Sequence, residues 1–308
     1  MVVLRSFSIL TLPVWFKAMI SADHSKQLTK TEAFTQWMSL AYVLVGVSML
    51  LIPSLWGILL DVQLVGRTVG YIQVGGLSLA VEGYLLVMAS RSIHKVPGHG
   101  HINITVLTRL VLVNMSLLKT FQEGVAPVRF LALIAVLDNF LAVGTFLVWI
   151  CKEEGATIGL FFKEIFSLLF RFPTGPWSSI AVLIVGIIQF PGAFYLKDVD
   201  RLQTALNLDP FVGYSRLFLS VHFSLSVAHA VLYVSNGQAI SRRFNSSCVF
   251  YRMAICVPTF CILALADRVE TSLAIFLVCV EVGFAAFILA FLCCDKEESH
   301  PGKERKSK

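Results

Sequence analysis

Eight stretches of the chain are each apolar over about the 20 residues that a helix needs to cross some 30 Å of hydrocarbon at 1.5 Å per residue. They run over 37–60, 68–89, 104–121, 128–150, 177–196, 214–235, 248–266 and 271–292. Only 14% of the residues are charged, against about 25% in soluble domains. So few charges cannot cover that much apolar surface in water. The sequence therefore predicts an all-α polytopic membrane protein with eight transmembrane helices, and it excludes a soluble enzyme, a secreted disulfide scaffold and a disordered chain. The third stretch is the most polar. Its two cations, Arg109 and Lys119, fall near its ends, where long side chains reach water.

Lysine and arginine are retained on the cytoplasmic side of spans. Counted over the connecting segments and the flanking ends of the spans, one side of these eight spans carries 17 of them and the other 7, with Arg109 left inside a span. Both termini are expected in the cytoplasm, with the choice between an endomembrane and the plasma membrane left open. The net charge of +6 is explained by a basic tail beside anionic lipid heads, so the expected partners are the lipid bilayer and other membrane proteins, and no nucleic acid is implied. Arg5 followed by an apolar stretch resembles a secretory leader, but Pro13, Lys17 and the bulky Ile20 argue against cleavage after Ala22. An interfacial helix carrying Trp15 and Phe16 is expected there instead.

Self-similarity reaches further than composition. Trp37, Ala41 and Gly46 recur at the same spacing as Trp177, Ala181 and Gly186, and a proline follows each set, Pro53 and Pro191. Arg67 stands 17 residues before Tyr84, as Arg216 does before Tyr233. Arg109 stands 29 residues before Asp138, as Arg252 does before Glu281. Order and spacing together predict two four-helix repeats, over 37–150 and 177–292. An amphipathic interfacial linker (151–176) joins them, preceded by an N-terminal segment (1–36) and followed by a basic tail (293–308). Four spans per copy return the chain to the side it left, so the repeats are parallel and their axis runs along the membrane normal.

Ionisable groups inside spans cost at least about 2.5 kcal/mol and are paired or functional. Asp138 and Glu281 fall near mid-span in the fourth and eighth helices. Each is read as a proton or cation site, a substrate contact, or a hydrogen-bonded brace. With the third stretch starting at residue 104, Arg109 is shallow, so pairing with Asp138 requires tilt or a bridging group such as Asn114, and Glu82 is the easier partner. His222 and His229, seven apart, share one helical face at about 10 Å, too far to share one ion. Glu82, Arg109, Asp138, His222, His229, Arg252 and Glu281 are thus the candidate binding residues. His94, His99 and His101 lie in a Gly-Pro loop without a fourth ligand, so no metal and no cofactor is expected. The seven cysteines form no C-x-x-C pair and no disulfide is expected; Cys293 and Cys294, at a membrane boundary, are candidates for palmitoylation. The Asn-x-Ser/Thr triplets at Asn103, Asn114 and Asn245 fall in a span or on the cytoplasmic side and are not expected to carry glycans.

No catalytic motif stands out. The leading expectation is a non-enzymatic membrane protein acting through lipids or membrane partners. A proton- or cation-coupled carrier using Asp138 and Glu281 is the first alternative. An intramembrane lipid-modifying enzyme using Glu82, His222 or His229 is the second.

Overall fold

The computed structural model describes residues 27–295, apart from 93, 123, 125, 172 and 174. The N-terminal stretch around Trp15 and Phe16, and the basic tail beyond Asp295, lie outside the described residues. The described residues form helices joined by loops and no strand, and eight of the helices are long and apolar enough to cross a membrane. In chain order the helices are α1 (Lys30–Leu51), α2 (Pro53–Leu60), α3 (Thr68–Arg91), α4 (Gly100–Gln122) and α5 (Val128–Lys152). Then follow α6 (Ile158–Leu169), α7 (Trp177–Leu196), α8 (Val199–Leu206), α9 (Ser215–Gln238), α10 (Arg243–Leu265) and α11 (Thr271–Cys294). The spans are α1, α3, α4, α5, α7, α9, α10 and α11.

Three helices start earlier than their apolar runs, for one physical reason. A polar first turn can be helical when its side chains are satisfied inside the protein. In α1 the Thr29 hydroxyl accepts from the Glu32 N–H at 3.2 Å, and the Glu32 carboxylate accepts from the Thr29 N–H at 3.0 Å. That capping box fixes the start at Lys30. In α4 the Asn103 amide donates to Glu164 of α6 at 2.8 Å. In α10 the Asn245 amide donates to the Ser178 and Ser179 hydroxyls of α7, both at 3.0 Å. At its other end α1 stops at Leu51, because Pro53 has no N–H to continue the ladder. The expected first span over 37–60 is accordingly two helices.

Asn245 and Asn103 are fully buried, and Asn114 exchanges hydrogen bonds of 2.9 and 3.0 Å with Asn139. All three glycosylation triplets are therefore structural in this fold.

α3 and α9 form the centre and are the most buried spans, whereas α11 is the least. The most extensive helix pairs are α1 with α3 and α7 with α9, followed by α3 with α9. Glycine permits the first two. A Cβ on Gly46 would lie 2.3 Å from Ala80 N and 2.5 Å from Gly76 O, and one on Gly186 would lie 2.8 Å from Ala230 O. Backbones in membranes approach this closely only across such small residues. The third pair, α3 with α9, runs parallel: Thr68 meets Ser215, Ser78 meets His222 and Glu82 meets His229 in rising order along both helices.

α6 is amphipathic, as its sequence predicts. Phe161, Ile165 and Leu168 are buried, while Phe162, Phe166 and Phe170 stack in an exposed ladder with ring centroids 6.5 and 6.4 Å apart. It packs against the start of α4 and the end of α9.

Candidate functional site

α4 and α10 share an unusual local feature. In each, an arginine nine or ten residues from the helix start opens a five-residue π turn, Arg109–Val113 and Arg252–Cys256. A π turn rotates the following residues and frees backbone groups, and it concentrates at functional places. Both arginines are buried. The expectation that Arg109 is shallow is corrected here: α4 begins at Gly100 and not at residue 104, so Arg109 sits about 14 Å along it.

That extra depth brings Arg109 to both acids. Its Nε lies 3.6 Å from Asp138 Oδ1, and its Nη2 lies 3.8 Å from Glu82 Oε1. Asn114 does not bridge them, since its amide is engaged by Asn139. Tyr42 of α1 takes that place: its hydroxyl donates to Asp138, and the Arg109 guanidinium lies over its ring at 5.1 Å. His229 closes the cluster, with Nε2 at 3.3 Å from Glu82 Oε2. Glu82, Arg109, Asp138 and His229 are each about 5% exposed. His222 stands one level away on Ser78, at 2.6 Å.

The second constellation is simpler. Arg252 Nη1 donates to Glu281 at 2.5 Å, and Nη2 donates to Gln189 Oε1 at 2.8 Å and to the Tyr233 hydroxyl at 3.0 Å. Three rings, of Tyr233, Tyr251 and Phe284, surround the guanidinium at 5.1 to 5.2 Å. One acid meets one arginine here. In the first cluster two acids meet one arginine and a histidine.

The seven sequence candidates thus fall into two clusters and a separate His222–Ser78 pair. Tyr42, Gln189 and Ser78 were not singled out by sequence reasoning. Tyr42 had a signal: α1 buries Thr31, Thr35, Ser39, Tyr42, Gly46 and Met49, a polar and small stripe spaced by three or four along an otherwise apolar helix.

A cavity of about 500 Å³ lies beside the first cluster, between α4, α7 and α9. It is lined by Ile104, Leu107, Val111, Leu112, Ile187, Phe190, Val231, Val234 and Leu169 of α6. Thr108 is the one polar residue of its lining, and the Thr108 hydroxyl already donates to Ile104 O at 2.8 Å. None of the candidate ionisable residues lines it. Val111 and Ile187 are exposed, so the cavity opens sideways between helices.

At the ends of α4, α5 and α9 a polar latch holds α6. Glu164 accepts from the His99 N–H at 3.2 Å and from Asn103. Burial raises the Glu164 carboxyl above its ordinary range, against the opposing pull of these donors. Gly98, at φ +94°, closes the loop against this carboxylate: a Cβ there would stand 2.7 Å from Glu164 Oε1. Of the loop histidines, His94 and His101 stack with ring centroids 3.7 Å apart, and His94 also bonds Asn236 at 3.1 Å, while His99 turns to Thr29 at 3.2 Å. No protein-family model matches the chain, and neither a curated protein nor a solved structure matches it.

Proposed function

We propose that the protein is a non-enzymatic membrane protein that takes an acyl chain of a bilayer lipid into the lateral cavity between α4, α7 and α9. The observation that carries this reading is the lining, which is apolar except for a hydroxyl already bonded to backbone. A polar substrate would find no donor or acceptor there, whereas apolar pockets with few polar groups suit apolar ligands. The slot also has direction. It extends from Leu169 and Ile104 down α4 to Leu112, roughly 12 Å along the helix axis. A chain entering from the membrane boundary lies along that axis.

In this reading the eight spans are two parallel four-helix repeats, and α6 lies in the membrane interface on its aromatic ladder. The matched π turns at Arg109 and Arg252, the parallel course of α3 and α9, and the glycine contacts within each half support the duplication. With the buried Arg252 left inside α10, the excess of 16 to 7 basic residues supports cytoplasmic termini.

The test is photolabelling of the full chain in vesicles by a phospholipid with a photoactivatable acyl chain. Val234→Trp and Leu112→Trp, which fill the slot, should remove most of the labelling, while Leu289→Trp on the exposed face of α11 should retain it. Equal labelling of all three variants overturns the proposal. Competition by a sterol and not by phospholipid replaces the acyl chain with a sterol.

A proton-coupled carrier is the second reading. The surplus acid among Glu82, Arg109, Asp138 and His229 favours it.

A further inference from the structure

Charge arithmetic separates the two buried clusters. Glu281 and Arg252 cancel. Glu82 and Asp138 together outnumber Arg109 by one, so with both acids ionised and His229 neutral the first cluster carries a net charge of −1. Burying an uncompensated charge costs several kcal/mol, and the usual remedy is a change of protonation. The atoms that face each other show where the proton goes. Glu82 Oε2 and His229 Nε2 lie 3.3 Å apart, and both are buried without a hydrogen-bond partner. The other ring nitrogen of His229 is hydrogen-bonded to the Ser78 backbone, so in the neutral ring Nε2 carries a lone pair. Two lone pairs facing each other at this distance repel, whereas one proton between them turns the repulsion into a charge-assisted bond. Arg109 Nη2, also without a hydrogen bond, lies 3.8 Å from the other oxygen of Glu82.

We infer that Glu82 and His229 form an internal proton-binding site at the seam between α3 and α9, and that its occupancy is linked to the lateral cavity. The linkage rests on the acyl-chain reading and on the placement of two helices. On α4, Thr108 and Val111 line the cavity and Arg109 enters the cluster. On α9, Val231 and Val234 line the cavity and His229 enters the cluster. A guest that parts α4 from α9 changes the distances of Arg109 and His229 from Glu82, and so changes the affinity for the proton. Reciprocally, the proton changes the affinity for the guest. The charged and titratable groups around the pair are Tyr42 on α1, Arg109 on α4, Asp138 on α5, His222 on α9 and Arg252 on α10. Arg252 is matched by Glu281, Asp138 accepts from Tyr42 beside Arg109, and His222 is bonded to Ser78, which leaves Glu82 and His229 as the pair that takes the proton.

Two readouts on the full chain in vesicles test this. Difference infrared spectroscopy between about pH 5 and pH 8 should show one carboxyl or imidazole band appearing on acidification. Glu82→Gln, whose cluster holds one acid and one arginine, should lose the band, and His229→Gln should move its midpoint. Labelling by the photoactivatable acyl chain should change by about fivefold or more over the same range in the wild type and stay flat in Glu82→Gln. A band retained unchanged in Glu82→Gln overturns the proton site. Labelling that is present but independent of pH overturns the linkage and leaves the acyl-chain reading standing. Absence of labelling at every pH overturns that reading and the linkage with it, while the infrared band still decides the proton site. A response to sodium in place of pH contradicts the assignment to a proton. Should Glu82→Gln fail to elute as a single species, the His229→Gln midpoint decides, and an unmoved midpoint overturns the site.

Discussion

Arg109 Nε lies 3.6 Å from Asp138 Oδ1, although the two residues are 29 apart in sequence and on different spans. Arg252 and Glu281 repeat the relationship at 2.5 Å with the same separation. Both arginines open π turns, which places the longest cationic side chain deep in a helix pair without breaking the helix. The difference between the pairs matters as much as the likeness. Glu281 holds Arg252 alone, whereas Asp138 shares Arg109 with Glu82.

The second pair is therefore expected to act as a brace. Arg252→Leu leaves Glu281 with no opposite charge and should cost about 3–5 kcal/mol, the usual penalty for removing one partner of a buried pair. Arg252→Met combined with Glu281→Leu should recover most of it. Thermal unfolding in detergent, followed by fluorescence, measures both. A double variant as unstable as the single one would show that Arg252 acts through its bonds to Gln189 and Tyr233.

Close backbone approach makes a second expectation. Gly46→Ala should cost about 1–3 kcal/mol, because its Cβ would meet the α3 backbone at 2.3 Å and the helices must part. Gly192→Ala, with nothing within 4 Å of the new carbon, should be neutral or stabilising. The same unfolding assay separates them. Equal effects would mean that α1 and α3 are not packed as described.

Helix number and most span boundaries were legible from hydropathy, because an apolar run long enough to cross a bilayer has few other uses. The early starts at Lys30, Gly100 and Arg243 were not. Thr31, Asn103 and Asn245 are polar in sequence and become buried only through partners far along the chain, which a window of hydropathy cannot see. Missing those turns placed Arg109 too near the surface and offered Asn114 as its bridge. The meeting of Glu82 with His229 was hidden for a similar reason. It joins α3 to α9, and no spacing within either helix specifies which face of one meets which face of the other.

Glu164 makes stability depend on pH. Its carboxyl is raised above the unfolded value by burial, so the folded state holds the proton more tightly. The contribution is fully present below the unfolded pKa and is lost as pH rises through the folded one. Glu164→Gln should flatten that part of the pH–stability curve measured by thermal unfolding. A curve unchanged by the substitution would mean that α6 is not held through this carboxyl.

Cys293 and Cys294 are exposed at the end of α11, and Cys151 is exposed at the end of α5, at the same separation from Asp138 as Cys294 from Glu281. Acyl exchange should label the chain. Serine at Cys293 and Cys294 should remove most of the label, and serine at Cys151 as well should remove the rest. Label that survives the triple change would place acylation elsewhere.

The most direct test of the account is a structure of the full chain in lipid nanodiscs. It should show an elongated apolar density running from Leu169 and Ile104 to Leu112 between α4, α7 and α9, with Glu82 and His229 in contact behind it. A slot closed by its own side chains, or one filled by ordered water, would contradict the claim that this protein takes up a lipid chain.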